Sequence, residues 1–258
     1  MIFIRREVHD PPNGARVGER PVYAIGDVHG CYDLLHALLG EIGRDAATRY
    51  PGMTPTLVLC GDYVDRGPDT AKVLTALAWL ARSGAIEARL LEGNHEAILR
   101  MFLDEPTAHA RWLDFGGRQT LESYGIVVPE GARTAAVMTH LRDALLDVMP
   151  ASHFLLLQRL ELMVRAGDYA FVHAGIRPGV GLQKQTRDDL LWIREDFLEH
   201  ERPMSAVIVH GHTWLNDRPT VLPHRIGIDT GAYETGVLTA LRITDDAIEV
   251  VQAVRGHP

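Results

Sequence analysis

The chain has 258 residues, 46% hydrophobic and 23% charged, which fits a globular enzyme with a sizeable core. A formal net charge of -8 argues against a nucleic-acid partner, because counterion release would contribute little, and against an anionic membrane surface. Two cysteines, Cys31 and Cys60, form no disulfide framework, and with no apolar leader and no membrane-length apolar run the expected location is the cytoplasm.

Residues 1–20 carry Asp10-Pro11-Pro12-Asn13-Gly14 and several charges, and read as an irregular, exposed lead-in. Residues 21–25 are apolar and end in Gly-Asp, as a buried strand would. Leu34, Leu35, Leu38, Leu39 and Ile42 recur at helical spacing and predict a helix over 33–50. A second strand is expected at 56–60, again followed by Gly-Asp. Val73, Leu74, Leu77 and Leu80 share one face of a helix over 70–81. A third strand at 86–91 runs into Gly93-Asn94-His95, and a helix follows over 96–103. This alternation predicts an α/β fold. Over 106–163 helical patterns dominate, notably at 139–148 and 152–160, with Leu155 to Leu162 read as core. We expect a helical insertion within one domain spanning 1–258. Further strands are expected at 169–172, 206–209, 225–228, 236–243 and 248–254, the last two flanking the hairpin signal Thr244-Asp245-Asp246.

Polar motifs punctuate these strands: Gly26-Asp27-Val28-His29-Gly30, Gly61-Asp62-Tyr63-Val64-Asp65-Arg66-Gly67, Gly93-Asn94-His95-Glu96, His173-Ala174-Gly175 and Gly211-His212-Thr213. Loops at the carboxyl ends of strands converge on the functional crevice of open α/β sheets. Carboxylate, amide and imidazole donors together suit a pair of divalent metal ions, manganese, iron or zinc rather than calcium. Asp27 and His29, two apart, can point to one side of an extended loop, and Asp62 has two oxygens with which to bridge. Two such ions ionise a bound water and neutralise phosphate oxygens, so that hydroxide attacks phosphorus in line with the leaving group. The leaving alkoxide then needs a proton. His95 is the candidate acid and Asp65 the candidate group that orients it. Arg66 and Arg194 are candidates to grip phosphate in bidentate fashion.

Three of these motifs, in order and complete, resemble the phosphoprotein phosphatase signatures of the calcineurin-like metallophosphoesterase superfamily, and the likeness runs over most of the chain. The short length and Trp192-Ile193-Arg194-Glu195 are most similar to the compact bacterial and bacteriophage branch. The resemblance implies a central β-sandwich of two mixed sheets flanked by helices. It implies one metal held by Asp27, His29 and Asp62, and a second held by Asp62, Asn94, His173 and His212. It implies His95 with Asp65 as the acid pair, and Arg66, Arg194 and Tyr233 near the phosphate. The expected activity is phosphomonoester hydrolysis on a phosphoprotein or phosphopeptide, as a serine/threonine phosphatase. The alternative within the superfamily is a symmetrical dinucleoside tetraphosphate hydrolase, which would be expected to carry Asp where Glu96 stands. A non-catalytic phosphate-binding module is the third reading, disfavoured because no ligand or acid is missing.

Each residue also has a structural reading. Asp27 and Asp62 suit helix caps, and Asn94 suits a turn. Glu96 is explained by charge placement at a helix N-terminus. Cys31 reads as a small packed residue, and His210 as a hydrogen-bonding neighbour of the site. The other histidines, His257 among them, read as surface or core residues.

Overall fold

The computed structural model describes residues 1–84, 86–131 and 133–256; His257 lies outside them. Among the described residues, eleven strands form two sheets. In chain order they are β1 (Ile2–His9), β2 (Val22–Ile25), β3 (Thr56–Leu59), β4 (Glu87–Leu90), β5 (Met163–Ala166), β6 (Tyr169–Val172), β7 (Val207–His210), β8 (Thr220–Val221), β9 (Arg225–Gly227), β10 (Val237–Ile243) and β11 (Ile248–Arg255). The first sheet has the order β1-β11-β10-β2-β3-β4, the second β5-β6-β7-β9-β8. Helices α1 (Tyr32–Arg49) and α2 (Thr70–Ser83) cross between the parallel strands β2, β3 and β4, and α3 (Asn94–Asp104) follows β4.

The sheets stack because their central strands are apolar on both faces, as parallel strands covered on each side must be. Val22, Ala24 and Val58 point toward Phe171, Val209 and Ile226 of the second sheet. Their alternates Tyr23, Ile25, Leu57 and Leu59 point the other way, against Leu34, Leu38, Val73 and Leu77 of α1 and α2. Each such buried side chain contributes about 1.5–3 kcal/mol of apolar burial. The far face of the second sheet is covered by α7 (Arg187–Trp192) and α8 (Glu195–Leu198), through Leu190 and Phe197. The sequence reading left this stretch without elements, since two short helices are too brief to show a period.

Between α3 and β5 lie a 3-10 turn (Ala110–Phe115) and three helices, α4 (Gly117–Ser123), α5 (Ala135–Val148) and α6 (Ala151–Leu157). Their apolar residues Trp112, Leu121, Leu141 and Leu157 join the core beneath α1 and α2. Leu156 and Leu157 are core as expected, but Leu155 is about half exposed.

The lead-in is corrected. Residues 2–9 form β1, paired antiparallel along the whole of β11. Its charges hid it: Arg6 pairs with Glu249 at 2.6 Å and Arg5 donates to Gln252 at 2.8 Å, which suits an edge strand that must not recruit another chain. The irregular part that follows is not wholly exposed either. Ala15 and Val17 are buried, and Asp245 accepts the amides of Val17 and Gly18. The strand β5 was also missed, although Gly167-Asp168 between it and β6 is a hairpin signal. No helix among the described residues is long and apolar enough to cross a membrane.

Candidate metal centre

Both sheets contain a parallel triplet, β2-β3-β4 in one and β6-β7-β9 in the other. The carboxyl ends of all six strands open at one end of the sandwich, so the motif loops meet there. The sequence reading counted five of these loops. The sixth, after β9, brings Asp229, which is buried beside Asp27.

Asp62 stands at the middle. Its Oδ2 lies 3.4 Å from His29 Nε2 and its Oδ1 3.5 Å from His173 Nε2. Asn94 Oδ1 is 2.9 Å from His173 Nε2 and 3.0 Å from His212 Nδ1. Two clusters of donors thus share one carboxylate: His29, Asp62 and His95, and Asp62, His173 and His212, with the atoms of each within 4.8 Å. Asp27 stands outside both tight clusters. Its Oδ2 accepts the His212 amide at 3.0 Å, while Oδ1 is buried with no hydrogen bond among the described residues. Gly211 permits this approach, because a Cβ there would collide with the Asp27 carboxylate.

The tautomers are set by the backbone. His29 Nδ1 donates to the Val64 carbonyl at 2.8 Å, and His173 Nδ1 donates to the Cys60 carbonyl at 2.8 Å. Each leaves Nε2 with a lone pair toward Asp62, the usual way outer partners aim an imidazole at a metal. Burial lowers the pKa of both rings, His29 to about 3 and His173 in the same direction; His212 falls to about 2. Burial acts to raise Asp62, but the four surrounding imidazoles outweigh it and hold its carboxyl below the usual range. Burial and the neighbouring carboxylates push Asp27 well above that range. A buried carboxylate oxygen without a donor, neutral imidazoles and a shared central carboxylate fit a pair of divalent metals.

His95 sits at the rim of this cluster. Its Nδ1 donates to Asp65 Oδ2 at 2.7 Å, and its Nε2 accepts from Arg66 Nη2 at 3.0 Å. Burial lowers its pKa, yet Asp62 and the Asp65 hydrogen bond leave it raised overall. The Arg66 guanidinium stacks 4.8 Å from the Tyr233 ring centre. Arg194 is exposed at the N-terminus of α8, and no hydrogen bond or ion pair engages its side chain among the described residues. His210 lies one residue from the centre, its Nδ1 3.0 Å from the Gly211 carbonyl and its ring against Phe197.

The sequence reading gave Glu96 too small a part. Its Oε2 accepts the amides of Asp62 and Gly93 at 2.8 and 2.9 Å, and its Oε1 those of Tyr63 and Val64 at 2.7 and 3.1 Å. One carboxylate therefore ties the loop after β3 to the loop after β4. Burial pushes Glu96 up to about 8, and the amide donors pull the other way. Its place in Gly93-Asn94-His95-Glu96 was the available signal.

The calcineurin-like phosphoesterase profile matches residues 20–257. The chain belongs to the calcineurin-like phosphoesterase family. Members of this family are metal-dependent hydrolases, and so is this chain. It is 31% identical over 239 residues to serine/threonine-protein phosphatase 1 of Salmonella typhimurium, covering 87% of this chain and 92% of that protein. It is 28% identical over 240 residues to an asymmetrical bis(5'-nucleosyl)-tetraphosphatase of Bacillus velezensis, covering 86% and 88%. A solved structure described as a candidate diadenosine tetraphosphatase shares the fold, with a TM-score of 0.59 at 20% identity over 93% of this chain and 97% of that one.

Proposed function

We propose that this family member is a phosphoprotein phosphatase acting on phosphoserine and phosphothreonine. The observation that carries this reading is the open groove of about 560 Å³ beside Arg66, lined by Phe115, Arg118, Gln119 and Tyr233. It lies next to the His95–Asp65 pair and has room for the polypeptide that a leaving seryl or threonyl oxygen belongs to. The similarity to a serine/threonine phosphatase over nearly the whole of both chains supports it.

In this reading Asp27, His29 and Asp62 hold one cation, and Asp62, Asn94, His173 and His212 the other, with manganese as the proposed occupant. When bound, two divalent ions activate water and neutralise phosphate charge near neutral pH. The chain's own residues do the rest. Arg66 and Arg194 hold the phosphate oxygens. When Arg66 turns to the phosphate it frees His95 Nε2 to take up a proton from solvent, which the raised pKa of the ring favours, and the imidazolium then gives that proton to the leaving oxygen. Asp65 keeps the opposite ring nitrogen protonated and the ring in place.

A second reading, hydrolysis of a dinucleoside tetraphosphate, has one observation in its favour. Phe115, 44% exposed, and Tyr233 flank the same groove and offer rings on which a base can stack. Relatives bearing that name support it equally. The deciding experiment compares kcat/KM on a phosphoserine peptide and on diadenosine tetraphosphate with the manganese-loaded enzyme. We expect the peptide to be preferred at least about tenfold, or about 1.4 kcal/mol of transition-state binding. A preference for the dinucleotide overturns the first reading in favour of the second.

A further inference from the structure

The helical stretch between α3 and β5 carries no motif, yet it reaches the acid pair. Trp112, in the 3-10 turn, donates its indole N–H to both oxygens of Asp65, at 2.9 Å to Oδ2 and 3.1 Å to Oδ1. Thr120, in α4, donates its hydroxyl to Asp65 Oδ1 at 2.7 Å and accepts the Asp65 amide at 2.9 Å. Asp65 is completely buried, so these groups and His95 supply the polar contacts of its carboxylate. The next residue is held by the same stretch, the Arg66 amide donating to the Gly116 carbonyl at 3.3 Å. Asp65 and Arg66 both lie in the left-handed region, at φ 70° and 68°, where a non-glycine residue persists only if its surroundings insist on it.

We propose that Trp112 and Thr120 are positioning residues for the leaving-group acid: they fix the rotation of the Asp65 carboxylate, and through it the aim of His95. The proposal rests on the reading of His95 as the proton donor. Its physical basis is directional. A carboxylate with one partner can turn about its Cβ–Cγ bond, and the imidazole it holds turns with it. Two further donors on a buried carboxylate remove that freedom, leaving one Oδ2 lone pair for His95 Nδ1. Displacement of a reacting group by about 1 Å can cost roughly a hundredfold in rate. The stretch that closes one wall of the substrate groove thus also sets the competence of the acid.

The test uses the metal-loaded full chain and a graded series of aryl phosphates, from p-nitrophenyl phosphate to unsubstituted phenyl phosphate. Trp112→Phe keeps a ring and removes the N–H; Thr120→Val keeps the shape and removes the hydroxyl; Thr120→Ser restores it. His95→Ala is run beside them. For Trp112→Phe and Thr120→Val we expect kcat on phenyl phosphate to fall about tenfold, within the roughly 10²–10⁴ that a general acid supplies. The fall on p-nitrophenyl phosphate, whose leaving group needs no proton, should be under about twofold. KM and metal content should stay as in the wild type, and Thr120→Ser should recover the wild-type slope. A uniform loss across the series in both variants, with a graded loss in His95→Ala, overturns the positioning role and leaves the acid assignment standing. A uniform loss in His95→Ala as well removes the acid assignment, and the inference with it. Should Thr120→Val not fold, Trp112→Phe and Thr120→Ser decide the matter alone.

Discussion

Five non-glycine residues at the centre, His29, Asp62, Asp65, Arg66 and His212, have φ between 41° and 70°. Each such residue costs on the order of 1–3 kcal/mol, and their gathering here marks where the fold accepts strain to aim side chains. Asp62 permits a clean test, because asparagine tolerates the left-handed region well and keeps the Oδ1 acceptor for the His95 amide at 3.0 Å. Asp62→Asn should therefore fold, with a metal-free melting temperature close to the wild type, since it also removes a charge facing Asp27. Metal affinity should drop by more than the roughly 10–100-fold typical of outer partners. Metal content after dialysis, measured by atomic emission, would show it; two tightly held ions in the variant would contradict a bridging role. The sequence named the residues whose type is itself characteristic of metal or phosphate ligands. Asp229, Trp112 and Thr120 were not legible, because each acts on another side chain and no fixed spacing announces such a contact.

At the scale of elements, the loops after β3 and β4 are held as one unit by Glu96 at the start of α3. Glu96→Gln is nearly the same shape but turns one oxygen into an NH2 donor, which faces amides that can only donate. Hydrogen bonds to a charged acceptor contribute about 1.5–3 kcal/mol, and above the Glu96 pKa of about 8 the variant should lose about that much stability in urea unfolding of the chelated protein. It should also bind metal more weakly, because the Asp62 and Asn94 loops lose their common anchor. Unchanged stability would mean that the four amides are satisfied without the charge. The elements that the sequence made legible include the strands with apolar runs, β2, β3, β4, β6, β7, β9, β10 and β11, and the helices α1, α2 and α3. Three edge strands were not: charges break the alternation in β1, β5 is a short mixed stretch, and β8 has only two residues.

Across the whole molecule, the centre lies between two sheets that share an apolar interior but are built from different stretches of the chain, the first from 2–90 and 237–255 and the second from 163–227. Asp27, His29, Asp62 and Asn94 follow strands of the first sheet, and His173 and His212 follow strands of the second. Ions held by both sets would cross-link the open end of the sandwich. Without them, that end confines Asp27, Asp62 and Asp229 together, and burial with mutual repulsion raises Asp27 well above its ordinary pKa and Asp229 to about 7. Metal added at a hundred times its Kd should stabilise the fold by about 2.7 kcal/mol. For a chain of this size that is a rise of roughly 5–10 °C in melting temperature. The sign of the pH effect follows from the same carboxyls. Groups whose folded pKa is raised stabilise the chelated protein below their unfolded pKa, and this contribution is lost as pH climbs through about 7 for Asp229. Bound cations need the deprotonated forms, so the shift they produce should be larger at pH 8 than at pH 6. Thermal melts with chelator and with manganese, iron or zinc, at both pH values, measure it. A melting temperature indifferent to all three metals, in a sample with native circular dichroism, would show that the two sheets are not joined through this centre.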